Sequence, residues 1–433
     1  MQATARDEWR HGWSTVLIAF TCYGIAGCYS AMTTLFIGPL ESEFGWSRTT
    51  ITLGLSMVGV LGLVLSPFIG LLVDRWGTKR VGLPGLVLYC GGLALLSTVS
   101  GNHWHWWALW LIVALGAVLA QANVWITAVS KRFDRTRGKA LALMMCGNGA
   151  AVAIYPLFLN RVIETYGWRA GYLAFGGSAA LVTLPALILF FHDTGRNSAP
   201  APSAAPRATT GLGVREAMLS TVFLRIFLVT VLMTAAIVAI NVHMMPMMIG
   251  FGLTRDHVAA ALPLVGIGAV IGRLGTGTLL DRFPGNVVGA IGFLVPAVAV
   301  LIMLLLGLGG PLPFVVTFLF GMGLGVEIDV VAYISTRYFG LKNHGVLFGT
   351  ITGGMAFAAG FGPMLAGAAY DLSGSYTILL MTDLALFVLS SLMVGSLGAY
   401  PDLGERADPS AAAHPFAGQG AGADLQDPLE AGA

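Results

Sequence analysis

Apolar stretches of roughly 20 residues recur twelve times along the chain, near 13–39, 50–73, 83–100, 107–128, 140–162, 170–192, 222–248, 257–280, 288–308, 312–335, 347–369 and 376–398. A helix rises about 1.5 Å per residue, so about 20 residues cross a hydrocarbon core about 30 Å thick. In lipid every backbone N–H and C=O must be paired within the protein, which leaves helices or closed barrels. The runs are too long for barrel strands and do not alternate. The expected fold class is therefore an all-α membrane protein of twelve transmembrane helices. Composition agrees, with 56% hydrophobic and 10% charged residues where soluble domains carry about 25% charge. The first run is long enough to span, so it is read as a helix and not as a cleaved signal.

Net charge is only +2, which supplies no field to attract nucleic acid, and none is expected as a partner. Cys22, Cys28, Cys90 and Cys146 lie in apolar runs without CxxC spacing, so they read as small core filler, with no metal site or disulfide framework. Cofactors are expected to be none.

Orientation follows from the cations, which gather in cytoplasmic segments. Arg48, Arg161, Arg169 and Arg255 fall on odd-numbered connections and Arg273 falls inside a span; the other 18 of the 23 Lys and Arg fall on the ends and even-numbered connections. Both termini are expected in the cytoplasm, in a multi-pass protein of the cell's inner (plasma) membrane acting as a monomer. The organisation reads as a cytoplasmic N-terminus (1–12), a six-helix half (13–192), a flexible Pro/Ala/Ser linker (193–221), a second six-helix half (222–398) and a disordered cytoplasmic tail (399–433).

The halves repeat at one offset. Adding 207 takes Pro39 to Pro246, Phe44-Gly45 to Phe251-Gly252, Ser47-Arg48 to Thr254-Arg255 and Gly70 to Gly277. The same shift takes Asp74-Arg75 to Asp281-Arg282, Gly138 to Gly345, Gly147 to Gly354, Pro156 to Pro363 and Gly167 to Gly374. Two halves in the same orientation imply a pseudo-twofold axis along the membrane normal and a site between them near the midplane.

The segment Gly70-Leu-Leu-Val-Asp74-Arg75-Trp-Gly77-Thr-Lys79-Arg80, with its shorter copy Gly277-Thr-Leu-Leu-Asp281-Arg282, resembles the signature loop of the major facilitator superfamily. The resemblance covers the whole membrane region and implies a cytoplasmic latch formed by these residues with Arg337. A closer resemblance is to the monocarboxylate porter branch and its bacterial relatives. It rests on Glu43-Phe-Gly-Trp-Ser47-Arg48, on Tyr166-Gly-Trp168-Arg169, on Arg273 and on the 327–340 segment.

An ionisable residue at membrane depth costs about 2.5–3.5 kcal/mol or more, so it usually faces a cavity. Arg273, about 24 Å along the eighth span, carries a permanent charge whose fork fits a carboxylate. Its two readings are a permanent ion pair with Glu327 or Asp329, or the substrate-carboxylate anchor that the resemblance implies. The animal transporters carry an Asp four residues before this arginine, where this chain has Ala269. They also carry a first-helix lysine, where it has Tyr23, Tyr29 and Ser30. The related oxalate/formate exchangers use a second cation in the eleventh span, but 347–369 contains no Lys or Arg. One fixed cation points to a monoanion.

Glu327 and Asp329 project about 200° apart, so only one is expected to face the cavity. Asp329 shares a face with Tyr333 and Arg337 and is assigned to Arg337 or the latch. Glu327 is then expected to exchange a proton or pair with Arg273, switching as its partner changes. His243 is a candidate proton or substrate contact, or else a neutral histidine on a carbonyl opened by Pro246. Tyr29, Asn123, Asn148 and Tyr333 are substrate-binding candidates, each of which could equally be an interhelical polar contact. Asp383 lies at depth and joins Glu327 and Asp329 as a proton-coupling or ion-pair candidate, with no assignable partner.

His103-Trp-His105-Trp-Trp107 is read as an interfacial aromatic belt, and Gly266-x-Gly268 and Gly321-x-Gly323-x-Gly325 as helix packing. Without a Walker lysine motif, ATP-driven pumping is not expected. Nor are clustered nucleophiles at depth found, so the chain is not expected to be an enzyme. The expected function is secondary transport of a small monocarboxylate, lactate- or pyruvate-like, with protons. The alternatives are anion exchange without net proton movement or a receptor that does not transport.

Overall fold

The computed structural model describes residues 5–133, 136–191, 211–340 and 342–401. Eleven of the described helical segments are long and apolar enough to cross a membrane, and one, Arg137–Phe190, holds two crossings joined at Gly167, where φ is 83°. Twelve crossings result: α1 (Ala5–Gly27 and Tyr29–Phe44), α2 (Arg48–Trp76), α3 (Thr78–Leu95), α4 (His103–Leu119 and Ala122–Arg132), α5 (137–166) and α6 (168–190). The second half holds α7 (Thr221–Gly250), α8 (Arg255–Ala261 and Pro263–Leu280), α9 (Gly285–Leu305), α10 (Leu312–Phe339), α11 (His344–Ser373) and α12 (Thr377–Gly395).

Local chemistry places the helix ends. The side chains of Ser47, Asn102, Ser220 and Thr254 accept from the N–H groups of Thr50, Trp104, Phe223 and His257, which caps α2, α4, α7 and α8. The turns after α5 and α11 need the left-handed region, and the repeat puts glycine at both, Gly167 at φ 83° and Gly374 at φ 69°.

The expected linker is partly structured. Residues 192–210 lie outside the described residues, but Gly211 bridges to Gly340 and Val214–Met218 forms a helical turn against α7 and α11. Of the expected tail, 402–433 lies outside the described residues.

Among the described residues the main helix pairs joining the halves are α1 with α7, α2 with α11, and α5 with α8. The last two exchange under the 207-residue shift. Along α2 and α11 contact runs from Arg48 and Thr49 against Gly367, through Ser56 against Gly360, to Leu63 beside Gly353. Past that point Gly70, Gly345 and Gly349 face open space. Along α5 and α8, Gly149 packs against Gly266 and Val270 and Met145 meets Arg273, while Gly138, Gly275 and Gly277 face open space. Among the described residues, the close contacts between the halves along these pairs lie towards the face opposite the termini, and the glycines towards the termini face have no such neighbour.

Candidate functional site

A cavity of about 300 Å³ lies between the halves, lined by residues of α1, α5, α7, α8, α10 and α11. Its walls are mostly apolar. The polar exceptions are Tyr23, Asn148, Thr234, Arg273 and Glu327, with the thiol of Cys146. Close packing sets this geometry: a Cβ on Gly325 would meet the Arg273 backbone nitrogen at 2.7 Å, so glycine at that position lets α10 lie against α8. The Gly321-x-Gly323-x-Gly325 run is thus a packing surface.

That approach brings Asp329 to Arg273. The guanidinium donates from Nη1 to Asp329 Oδ1 at 2.8 Å, with the two side chains 14% and 24% exposed. This corrects the expectation that Asp329 pairs with Arg337 or the latch. Arg337 is exposed and lies over the Tyr400 ring at 5.0 Å. Helical angle separates Glu327 from Asp329, but Arg273 is long enough to reach the edge of α10 where Asp329 stands. Glu327, 3% exposed, lines the cavity and accepts from the Thr234 hydroxyl of α7. The structure therefore does not pair it with Arg273.

His243 lies away from this cavity. It is fully buried, with Nδ1 2.8 Å from the Tyr376 hydroxyl and Nε2 2.9 Å from the Pro363 carbonyl. A carbonyl only accepts, so Nε2 carries a proton. Tyr376 receives a donor from Arg48 Nη1 at 2.5 Å, which leaves its own proton for Nδ1. The histidine therefore sits in a complete hydrogen-bond chain as its neutral form, on the carbonyl of Pro363 and not on one opened by Pro246.

Of the other expected binding residues, only Asn148 lines the cavity. Tyr29 sits beside the break in α1, half-buried and off the cavity wall, where Tyr23 takes the place expected of it. Asn123 is exposed and Tyr333 packs on Gly285 at the start of α9; neither is on the cavity wall. Asp383 is buried in α12 with Oδ2 lacking a hydrogen-bond partner.

The expected latch residues gather on the face of the termini. Asp74 and Lys131 pair at 3.4 Å within the first half, both well exposed. Lys79 donates to the carbonyls of Ile188 and Phe191 at the end of α6. Gly77, at φ 89°, makes the turn between α2 and α3, Gly70 faces open space, and Arg75, Arg80, Asp281 and Arg282 are exposed. On the opposite face, Glu43 accepts from Trp168 Nε1 at 2.5 Å and Arg169 at 2.7 Å, joining two of the resembling segments. His103 stacks on Trp46 with ring centroids 5.0 Å apart, as a belt residue does.

The profile described as Major Facilitator Superfamily matches residues 19–363. The chain belongs to the Major Facilitator Superfamily. It is a multi-pass membrane transporter and not an enzyme. It is 26% identical over 271 residues to monocarboxylate transporter 11 of Mus musculus, covering 63% of this chain and 60% of that one. It is 28% identical over 160 residues to monocarboxylate transporter 9 of Gallus gallus, covering 36% and 31%. The chain thus spans less than two-thirds of the length of these relatives. A crystal structure of a bacterial homologue of the human lysosomal transporter Spinster, inward-facing and unoccupied, matches with a TM-score of 0.69 at 14% identity over 91% of this chain and 98% of that one. That likeness shows the superfamily fold.

Sequence reasoning missed Thr234 and Asn160 among ordinary helix residues, and it read Arg48 and Arg255 as cations and repeat markers without assigning them partners. The repeat carried the missing signal. Arg48 and Arg255 are 207 apart, and so are Glu164 and Asp371.

Proposed function

We propose that this transporter moves a small organic monocarboxylate with a proton, by alternating access of its two halves around Arg273. The observation that carries this reading is the Arg273–Asp329 pair at 2.8 Å on an otherwise mostly apolar cavity. The resting pair is neutral as a unit. A carboxylate that takes the guanidinium fork displaces Asp329 and would leave one net negative charge in a site poor in water, at a cost of several kcal/mol. Protonating Asp329 removes that cost, so anion and proton enter together. Asn148 and Tyr23 offer hydrogen bonds to the rest of the substrate, and the volume is at the low end for ligand pockets, which run from about 300 Å³ upwards. Glu327 with Thr234 is the second acid on the wall. The named relatives, monocarboxylate transporters, support the same class.

The cation bias puts the termini in the cytoplasm of a plasma (inner) membrane, which makes this conformation inward-facing. One chain encloses the whole cavity, so the monomer is the transport unit. The Asp74–Lys131 loop, with its copy at Asp281-Arg282, is the latch of the cytoplasmic face, idle while that face is open.

The test is uptake of labelled carboxylates into proteoliposomes with an imposed inward proton gradient, for the wild type and Arg273→Gln. Gradient-dependent uptake of a monocarboxylate that vanishes in the variant supports the reading. Uptake that ignores the gradient and needs internal anion turns it to exchange, and wild-type uptake by the variant removes Arg273 from the site.

A further inference from the structure

On the closed face, the N-terminus of α2 meets the C-terminal end of α11, and the N-terminus of α8 meets that of α5. Each junction holds an arginine on the first helix and a carboxylate on the second: Arg48 with Asp371, and Arg255 with Glu164. Both residues of one junction map onto the other at the 207-residue offset. We propose that these are two copies of one latch holding this face shut, and that the Arg48 copy is the main lock while the Arg255 copy yields first. The inference goes beyond the substrate reading and does not depend on it.

The inequality has a single residue at its root. Position 367 of α11 is glycine, and a Cβ there would meet the Thr49 nitrogen at 2.8 Å. The bare backbone brings α11 against the start of α2, so Asp371 accepts from the backbone N–H of Arg48 at 3.1 Å and of Thr49 at 3.0 Å, and from the Thr49 hydroxyl at 2.6 Å. A carboxylate on a helix N-terminus also meets the positive end of the helix dipole. Arg48, 8% exposed, is freed to bond Glu41 at 3.1 Å and Tyr376 at 2.5 Å and to lie 3.6 Å over the Tyr370 ring. Tyr376 in turn is tied to His243 and the Pro363 carbonyl.

The matching position on α5 is Asn160, whose side chain stands between the partners. Arg255 Nε donates to Asn160 Oδ1 at 2.9 Å, Asn160 Nδ2 donates to Glu164 at 2.9 Å, and the direct Arg255–Glu164 separation is 4.0 Å. One further bond, from Arg255 to the Leu35 carbonyl at 2.9 Å, crosses between the halves. Among the described residues Glu164 takes its hydrogen bond from Asn160, whereas Asp371 accepts directly from the first backbone N–H groups of α2. The first copy is thus a helix cap, a cation over a ring and a buried chain together, whereas the second is a relayed side-chain pair.

Both faces are measured by double electron–electron resonance on the full chain with its four cysteines replaced by alanine. Nitroxides stand at Trp104→Cys and Leu306→Cys on the closed face, and at Trp76→Cys and Phe283→Cys on the termini face. All four positions are more than half exposed and take no part in either latch. Arg48→Gln is expected to raise the closed-face-separated population about tenfold or more, with the termini-face distance shortening in step; a merely unfolded protein would broaden both. Arg255→Gln is expected to move both distances the same way but less. The exchange Glu164→Arg with Arg255→Glu is expected to recover part of the Arg255→Gln shift, the Asn160-relayed pair returning but not the bond to the Leu35 carbonyl, whereas Asp371→Arg with Arg48→Asp recovers none of the Arg48→Gln shift, because a cation at 371 cannot accept from the α2 N–H groups. Unchanged distances in both Arg48→Gln and Asp371→Asn overturn the latch. Equal shifts in Arg48→Gln and Arg255→Gln overturn the ranking.

Discussion

The two halves share a backbone plan, yet at the cavity they share only part of it. Asn148, Gly149 and Val152 of the α5 wall have Met355, Ala356 and Ala359 of the α11 wall as their counterparts at the 207 shift, while Met145 and Cys146 line the wall on α5 alone. Elsewhere the symmetry fails. Arg273, Glu327 and Thr234 line the wall and Asp329 stands behind Arg273, but their counterparts in the first half are Ser66, Ala120, Gly27 and Ala122. Every carboxylate and cation at this site thus belongs to the second half, and the first supplies packing surface and neutral hydrogen-bonding groups. Duplication accounts for the scaffold and the rocking axis, and divergence of a few positions accounts for the chemistry.

If the second half holds the charge chemistry, the largest effect comes from removing its one cation. Arg273→Gln deletes the anchor and leaves Asp329 without a partner, a loss of about 2–5 kcal/mol for a buried charge pair, or about 30-fold or more in transport efficiency. Initial-rate uptake in proteoliposomes checks this. Retention of most of the activity would place the chemistry elsewhere and end the contrast between the halves.

Asp329→Asn sharpens the comparison differently. The guanidinium keeps its place but loses the group that ties it to a proton. Exchange of labelled for unlabelled substrate at equal pH is expected to persist within about tenfold of the wild type, while accumulation driven by a proton gradient disappears. Loss of exchange and accumulation together would make Asp329 a positioning group only. A smaller effect is expected from Thr234→Val, which takes the donor from buried Glu327. The cost is about 1–3 kcal/mol, read as a several-fold or larger change in apparent affinity or in midpoint of thermal unfolding.

Much of the scaffold was legible in the residues. Apolar run length gave the twelve crossings, the 207 offset gave the halves, and the glycines at 167 and 374 marked equivalent turns. The Gly70 to Arg80 segment and the eighth-span arginine were legible as motifs. The partner of Arg273 was not, because side-chain reach competes with helical phase. A position about 200° round the helix from cavity-lining Glu327 can still meet a long guanidinium when glycines draw the neighbouring helix close. His243 stayed open between two readings for a related reason: the carbonyl and the tyrosine that complete its bonds come from α11 and from the start of α12. The Arg48 and Arg255 junctions were hidden in plain counting, since their carboxylates come from more than 300 and about 90 residues away in the chain.

The smallest effects separate residues that sequence treats alike. Asn123 and Asn148 both sit in apolar helices of the first half and both looked like polar contacts between helices. Asn148 is on the cavity wall beside Gly27, where a Cβ would meet its amide nitrogen at 2.5 Å, so its orientation is held by the break in α1. Asn123 is exposed, and its backbone carbonyl serves Thr127 within the same helix. Asn148→Ala is therefore expected to weaken apparent substrate affinity by about 1 kcal/mol, roughly fivefold, while Asn123→Ala stays within about 0.5 kcal/mol of the wild type in both affinity and stability. Competition of unlabelled substrate against labelled uptake measures both. Equal weakening in the two variants would show that the first half's polar contribution is not confined to the α5 wall, and the division of labour between the halves would have to be redrawn at α4.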